Sequence, residues 1–332
     1  MTRRERVIAA IRHQETDPVP YDVDLTIPAR ARLIEYVGDT GYIDKIGNHI
    51  RSVKYGGRKE YKPGWARDHF GIVWNQTVDK DIGVIDHHPL TEPSLAGFEF
   101  PPVDKKAWRE RLDSAVADAD DRYSMIAIGF SMFERAWSLR GMENILMDMI
   151  ADPEFVDELL DAICEFNLRI IDIALEYPID GVHFGDDWGQ QKGQIMGPGH
   201  WRRFIKPRMA RMYAKAKAAG KFVSQHSCGD IQALYPDLIE IGLDVHQTFQ
   251  PEIYDIKAVK REFGKDLTFW GGISTQRALP FLTPDEIKQL TRDTVATMRP
   301  GGGYIAAPTH SIPGDVPPEN IVAMIEVMRG KG

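Results

Sequence analysis

The chain of 332 residues is poor in several things, and each shortage closes off a class of function. It holds 2 cysteines, Cys164 and Cys228, too few for a disulfide framework, so a reducing compartment would leave both as thiols. Lys and Arg total 41 against 49 Asp and Glu, giving a net charge of −8 with no basic block; nucleic acid and anionic membrane are excluded as expected partners. No window is long and apolar enough to span a bilayer. The N-terminus, Met-Thr-Arg-Arg-Glu-Arg-Val-Ile-Ala-Ala-Ile-Arg-His, is charged and amphipathic without an apolar signal core, and a cytoplasmic location is expected. No Gly-x-Gly-x-x-Gly stands at a strand-to-helix turn, which argues against a dinucleotide-binding sheet.

What is present is a rhythm. Apolar runs at 123–130, 180–185, 221–226, 244–249, 266–271 and 303–308 read as buried strands. Segments with helical periodicity at 152–176, 198–219, 230–241, 256–263, 284–298 and 318–328 alternate with them. Such alternation means parallel strands joined by right-handed crossovers. With 43% hydrophobic residues in one chain of this length, the expectation is a single α/β domain over 1–332, a closed (β/α)8 barrel of the TIM type. A doubly wound sheet is the second choice. Residues 38–102, rich in Gly, Pro, Asp, His and aromatics, break the rhythm and are expected to form a lid or insertion at the barrel mouth, or to hide short elements. Gly301-Gly302-Gly303 reads as a helix-ending turn and Pro317-Pro318-Glu319-Asn320 as a helix start.

The strongest chemical signal is Gln225-His226-Ser227-Cys228-Gly229-Asp230, where a strand gives way to a helix. Residues two apart in an extended segment project to one side, so His226 and Cys228 can meet one ion, and an imidazole with a thiolate suits zinc. Two ligands do not suffice, and His310, at the end of the last strand, is the candidate for the third. The competing account is a buried thiol beside a satisfied histidine. Glu134 offers a carboxylate as fourth ligand or general base; alternatively it pairs with Arg135 or Arg140 on a helix surface. Asp186 and Asp187 repel each other at a strand end, so one should be solvated, hydrogen-bonded, or facing a cation or hydroxyl, with Asp186 as a catalytic group and Asp187 and Gln190 as substrate contacts, unless the loop merely caps a helix. His183 lies within the same strand and either lines the interior or packs there. Trp270 is a pocket wall beside Gly271-Gly272, which would let a ligand approach the backbone. Cys164, in the apolar pattern Phe155, Leu159, Ile163, Phe166, reads as core, and His87-His88 as a solvated loop.

Taken in order, Arg3-Glu5-Arg6-Val7 through Asp17-Pro18-Val19-Pro20, Asp180-Gly181 leading to Asp186-Asp187-Trp188-Gly189, His226 to Asp230, Trp270-Gly271-Gly272 and His310 to Asn320 resemble the uroporphyrinogen decarboxylase superfamily over nearly the whole chain. That superfamily includes cobalamin-linked methyltransferases as well as the porphyrin-making decarboxylase, and its fold is a (β/α)8 barrel. The decarboxylase branch carries an N-terminal Arg-Gln-Ala-Gly-Arg motif for porphyrinogen carboxylates. Here the region reads Tyr21-Asp22-Val23-Asp24-Leu25-Thr26, with aspartates in place of arginines, and that branch lacks the His-x-Cys. The methyltransferase branch uses His-x-Cys and a later cysteine to bind zinc, and His310 stands at the later position here. The resemblance therefore implies a zinc-dependent methyltransferase acting between a small methylated substrate and a corrinoid on a partner protein. His226, Cys228 and His310 would hold the metal, and Asp22 and Asp24 would face the substrate. A decarboxylase of a smaller acid, or a metal- or tetrapyrrole-binding protein without turnover, are the alternatives.

Overall fold

The computed structural model describes residues 1–330. Its strands are β1 (Ile50–Lys54), β2 (Arg58–Lys62), β3 (Trp65–Asp68), β4 (Val73–Asn75), β5 (Val84–His87), β6 (Tyr123–Ile128), β7 (Gly181–Gly185), β8 (Phe222–His226), β9 (Val245–Phe249), β10 (Thr268–Ile273) and β11 (Tyr304–Pro308). The larger sheet runs in the order β1-β6-β7-β8-β9-β10-β11, and a second sheet runs β2-β3-β4-β5. Two compact units divide the chain. One holds Met1–Arg51, Asp120–Ser124 and the chain from Asp244 onward; the other holds Ser52–Ala119 and Met125–Leu243.

In the second unit β6 pairs with β7 and β7 with β8, all parallel, with Gly185 opposite His226. The helix Pro153–Ala174, between β6 and β7 in the chain, buries one face for a reason visible in its sequence. Asp152 accepts a hydrogen bond from the Phe155 amide, Pro153 occupies the first turn, and Phe155, Leu159, Ile163, Phe166 and Ile170 form a buried stripe. Each such fully buried side chain stabilises by roughly 1.5–3 kcal/mol. Cys164 lies in the stripe, and burial pushes its thiol up to about 11, so it is packing and not chemistry. Residues 38–102 are not one irregular loop: they contain β1 and the four-stranded antiparallel sheet, and His87 belongs to β5.

In the first unit β9, β10 and β11 are parallel neighbours. Beside β11 runs the segment Tyr21–Leu25, joined to it by isolated parallel bridges at Tyr21 with Ala306 and Leu25 with Ile312. Its other edge meets the turn before β1, where the His49 amide donates to the Tyr21 carbonyl at 3.0 Å. Thr2 and Glu5 form a capping box on the helix Arg3–Ile11, and Thr283 and Glu286 form one on Pro284–Met298. That second helix stops before Gly301, Gly302 and Gly303, whose φ values of 75, 69 and 64° are the left-handed turn expected there. The helix Pro318–Met328 begins at Pro317 as the sequence indicates. No described helix is long and apolar enough to cross a membrane.

Candidate functional site

The organising group of the second unit is Asp186, which is fully buried on the loop after β7. One carboxylate oxygen accepts from the amides of Met132 (3.1 Å) and Glu134 (2.7 Å), the other from the Phe133 amide (2.9 Å) and the Trp188 indole (2.5 Å). These amides open the helix Phe133–Arg140, whose first N–H groups would otherwise lack partners. Burial still pushes this carboxyl up to about 6 against the pull of the four bonds. Both oxygens of Asp186 are committed to these bonds, and the residue anchors the turn that carries Glu134. It does cap a helix, but one that begins more than fifty residues upstream.

Glu134 sits in the first turn of the helix that Asp186 holds. The surface pairing considered for it does not form. Arg135 binds Asp68 at 2.9 Å and Arg140 binds Asp148 at 2.8 Å, both inside the protein. Burial, reinforced by the charges of Asp187 and Asp186, raises the Glu134 carboxyl well above the ordinary range, while the Asp187 amide donates to it. Such a carboxyl keeps its proton more readily than an exposed one, as a group that gives or takes a proton requires.

Asp187 is the residue whose part the sequence understated. Its Oδ1 accepts from the Cys228 amide at 2.7 Å and lies 3.3 Å from His226 Nε2. His226 Nε2 is in turn 3.5 Å from Cys228 Sγ. Burial works to lower the imidazole's affinity for a proton, but Asp187 and Cys228 outweigh it and hold His226 well above its usual value. His183, within β7, bonds Ser224 Oγ at 2.9 Å and is pushed down to about 3 by burial, so it stays neutral.

Two loops interlock beneath these side chains. Ser227 Oγ accepts from the Trp188 amide at 3.0 Å, and the Asp230 amide donates to the Gln190 carbonyl at 2.8 Å. Gly229, at φ 79°, lies so close to the other loop that a Cβ on it would come within 2.2 Å of the Gly189 carbonyl carbon. Only glycine fits both conformation and contact. The Gln190 side chain is exposed on this loop.

In the first unit His310 is exposed two residues beyond β11. The preceding Thr309 fixes its approach: its amide donates to the Ile273 carbonyl at 2.9 Å and its hydroxyl meets that of Thr275 at 3.0 Å. Trp270 is not at a strand exit. β10 continues to Ile273, and Trp270 is buried within it, opposite Ile305 and Gln247. Gly271 and Gly272 make room for protein rather than ligand: added Cβ atoms would meet the Phe249 backbone at 2.7 Å and the Tyr304 hydroxyl at 2.9 Å. Asp22 is half-buried, and burial with the Asp24 charge raises its carboxyl to about 7. Asp24 is exposed and accepts from the Ser311 hydroxyl, while Thr26 caps the next helix, so neither aspartate serves as that cap.

The description of uroporphyrinogen decarboxylase (URO-D) matches residues 77–330. The chain belongs to the URO-D family. No curated protein matches it by sequence. Among solved structures, a methyltransferase from Methanosarcina mazei is similar over 99% of both chains, with 17% identity and a TM-score of 0.75. Dispersin B aligns over 94% of this chain and 98% of its own at 10% identity and a TM-score of 0.42. A 7,8-dihydropteroate synthase from Vibrio fischeri ES114 aligns over 90% and 84% at 11% identity and 0.32. The URO-D membership and the first of these likenesses concern the fold; the chemistry rests on the side chains above.

Proposed function

We propose that this URO-D family chain is a zinc-dependent methyltransferase that moves a methyl group between a small methylated substrate and a corrinoid carried by a partner protein. The observation that carries the reading is the donor set. The 3.5 Å between His226 Nε2 and Cys228 Sγ matches the separation of about 3.6 Å that nitrogen and sulfur adopt on one tetrahedral zinc with bonds of about 2.1 and 2.3 Å. His310, two residues beyond β11, is taken as the third ligand. A borderline-soft N, N, S set fits zinc, with a fourth place for substrate or Glu134. Zinc bound there would supply a Lewis acid toward a thiol, hydroxyl or ether oxygen.

The chain's own groups have separable tasks in this reading. Asp187 orients His226 and the Cys228 backbone. Glu134, with its raised carboxyl, gives or takes the substrate's proton. Asp186 holds Glu134 and Trp188 in place. Asp22 and Asp24 put carboxyl groups where the porphyrinogen-binding branch has arginines, disfavouring a polyanionic substrate and tolerating a neutral or cationic one. Gln190 remains a candidate substrate contact; Trp270, buried in β10, is retained only as a wall behind one. The closed (β/α)8 barrel belongs to the same proposal, with Tyr21–Leu25 in the place of the missing strand. The matching fold of the Methanosarcina mazei methyltransferase supports the choice of reaction.

The test is elemental analysis of purified protein followed by methyl transfer to cob(I)alamin from small methyl ethers, amines or thiols. One zinc per chain with demethylation is expected. Porphyrinogen decarboxylation without a metal requirement would overturn the reading.

A further inference from the structure

A cavity lies in the first unit, at the other end of β11 from His310. It occupies about 620 Å³ beside the amino ends of β10 and β11, where the helices Ile256–Phe263 and Pro284–Met298 finish. Its lining includes Lys257, Lys260, Arg261, Lys265, His13 and Thr297, and no carboxylate. Four cations around one cavity are unexpected in a chain whose net charge is −8.

Helix electrostatics explains only part of the cluster. Lys260 and Arg261 are in the last turn of their helix, where a cation is favoured by about 0.3–1 kcal/mol. Lys257 is in the first turn, where the same dipole opposes it, and Lys265 lies beyond the helix end. Nor do ion pairs account for the group: Lys257, Arg261 and Lys265 are exposed and make none among the described residues. Positions 257, 260 and 261 are one turn apart and share a face, so their charges reinforce one another.

Lys260 and His13 form the buried side of the cavity wall. The Lys260 ammonium donates to the Gly302 carbonyl, yet burial pulls its pKa down to about 8. His13 adopts φ 55°, rare outside glycine, and its buried Nδ1 has no hydrogen-bond partner. Gly303 allows this arrangement, because a Cβ there would sit 2.7 Å from His13 Nδ1 and 3.2 Å from Lys260 Nζ.

We infer that this cavity binds a small metabolite bearing two or more phosphate or carboxylate groups, held by Lys257, Lys260, Arg261 and Lys265. The volume exceeds what a single inorganic phosphate fills, and no Phe, Tyr or Trp lines it to stack on a nucleobase. An anion there would meet exposed cations that form no ion pair among the described residues, and would add to Glu15 in opposing the effect of burial on the Lys260 ammonium. Its distance along β11 from His310, about 17 Å for five strand residues, makes it a site apart from the reacting groups. The inference does not depend on the methyl-transfer reading.

Isothermal titration calorimetry of the full chain at 150 mM salt tests it, with fructose 1,6-bisphosphate, adipate and inorganic phosphate as probes. Saturable binding of one bisphosphate or adipate per chain, tighter than inorganic phosphate, is expected. The double variant Lys257→Gln/Arg261→Gln, both exposed positions, should weaken it at least tenfold. Lys105→Gln/Lys106→Gln, which removes the same charge from the other unit, should leave it unchanged. Whichever of the two probes binds more tightly assigns the anion type. No saturable binding, or equal loss in both double variants, overturns the inference and leaves an ordinary solvated cationic face.

Discussion

Asp187 receives the Cys228 amide at 2.7 Å through the same oxygen that lies 3.3 Å from His226 Nε2. One carboxylate thereby aligns both members of the His-x-Cys pair. Because the carboxylate meets the same ring nitrogen that would bind zinc, its hold on the Cys228 amide is the contact that metal binding would keep, and Asp187→Ala should weaken zinc binding by about 10-fold. Competition against a chromogenic chelator measures this, and unchanged affinity would show that the pair needs no alignment.

The two cysteines provide an internal control. Cys228→Ser should lose most of the bound zinc, and Cys164→Ser should keep it, since Cys164 is fully buried in the helix Pro153–Ala174. Equal metal content in both variants removes the thiolate from the coordination set. Thermal unfolding of each variant shows whether the fold has been retained.

Glu134 and Asp186 should separate into chemistry and architecture. Glu134→Gln is expected to retain fold and zinc while turnover falls by about 100-fold or more, as for loss of a general acid or base. Asp186→Asn replaces a four-bond acceptor with a group whose amide nitrogen confronts backbone N–H donors; a loss of about 2–4 kcal/mol and a lowered melting temperature follow. A stable but inactive Asp186→Asn protein would return Asp186 to the reacting groups.

Asp22 predicts a pH dependence of defined sign. Its folded pKa of about 7 lies above the ordinary 3.8, so the folded state binds the proton more tightly. The stability this contributes is full below pH 4 and is lost as pH rises through 7. Asp22→Asn should therefore stabilise the protein at pH 8 by on the order of 2 kcal/mol and gain nothing below pH 4. Denaturant unfolding at the two pH values reads the difference; the same gain at both would place the carboxyl in water.

A porphyrinogen bearing many carboxylates should bind poorly for the related reason that Asp22 and Asp24 offer repulsion in place of ion pairs. Direct comparison of uroporphyrinogen turnover with demethylation of small ethers or amines tests this. Efficient decarboxylation would restore the activity for which the family is named.

Much of this was legible because buried parallel strands are continuous apolar runs. β7, β8 and β9 lie one residue inside their expected bounds, and the helices Ile256–Phe263, Pro284–Met298 and Pro318–Met328 coincide with theirs. β10 runs two residues further than expected, since glycines ended the visible pattern at Gly271. The antiparallel sheet within 38–102 was hidden: β2 is exposed along nearly its whole length, so no alternation of apolar and polar residues marks it. The helix Phe133–Arg140 was obscured by Arg135 and Arg140, which are buried with distant acidic partners and read as surface in the sequence. Asp186 and Asp187 were recognisable as an unusual pair at a strand end. Their different duties were not, because each is decided by amides far away in the chain.

The web of bonds from Asp186 and Ser227 has a kinetic meaning. It ties the start of the helix bearing Glu134, the loop bearing Asp187 and the loop bearing Cys228 into one piece, with Gly189 and Gly229 pressed together backbone to backbone. Such a frame leaves little for loops to rearrange when a ligand arrives. Uptake of metal by these side chains should follow single-exponential kinetics whose rate rises linearly with metal concentration, with no plateau imposed by a slow opening step.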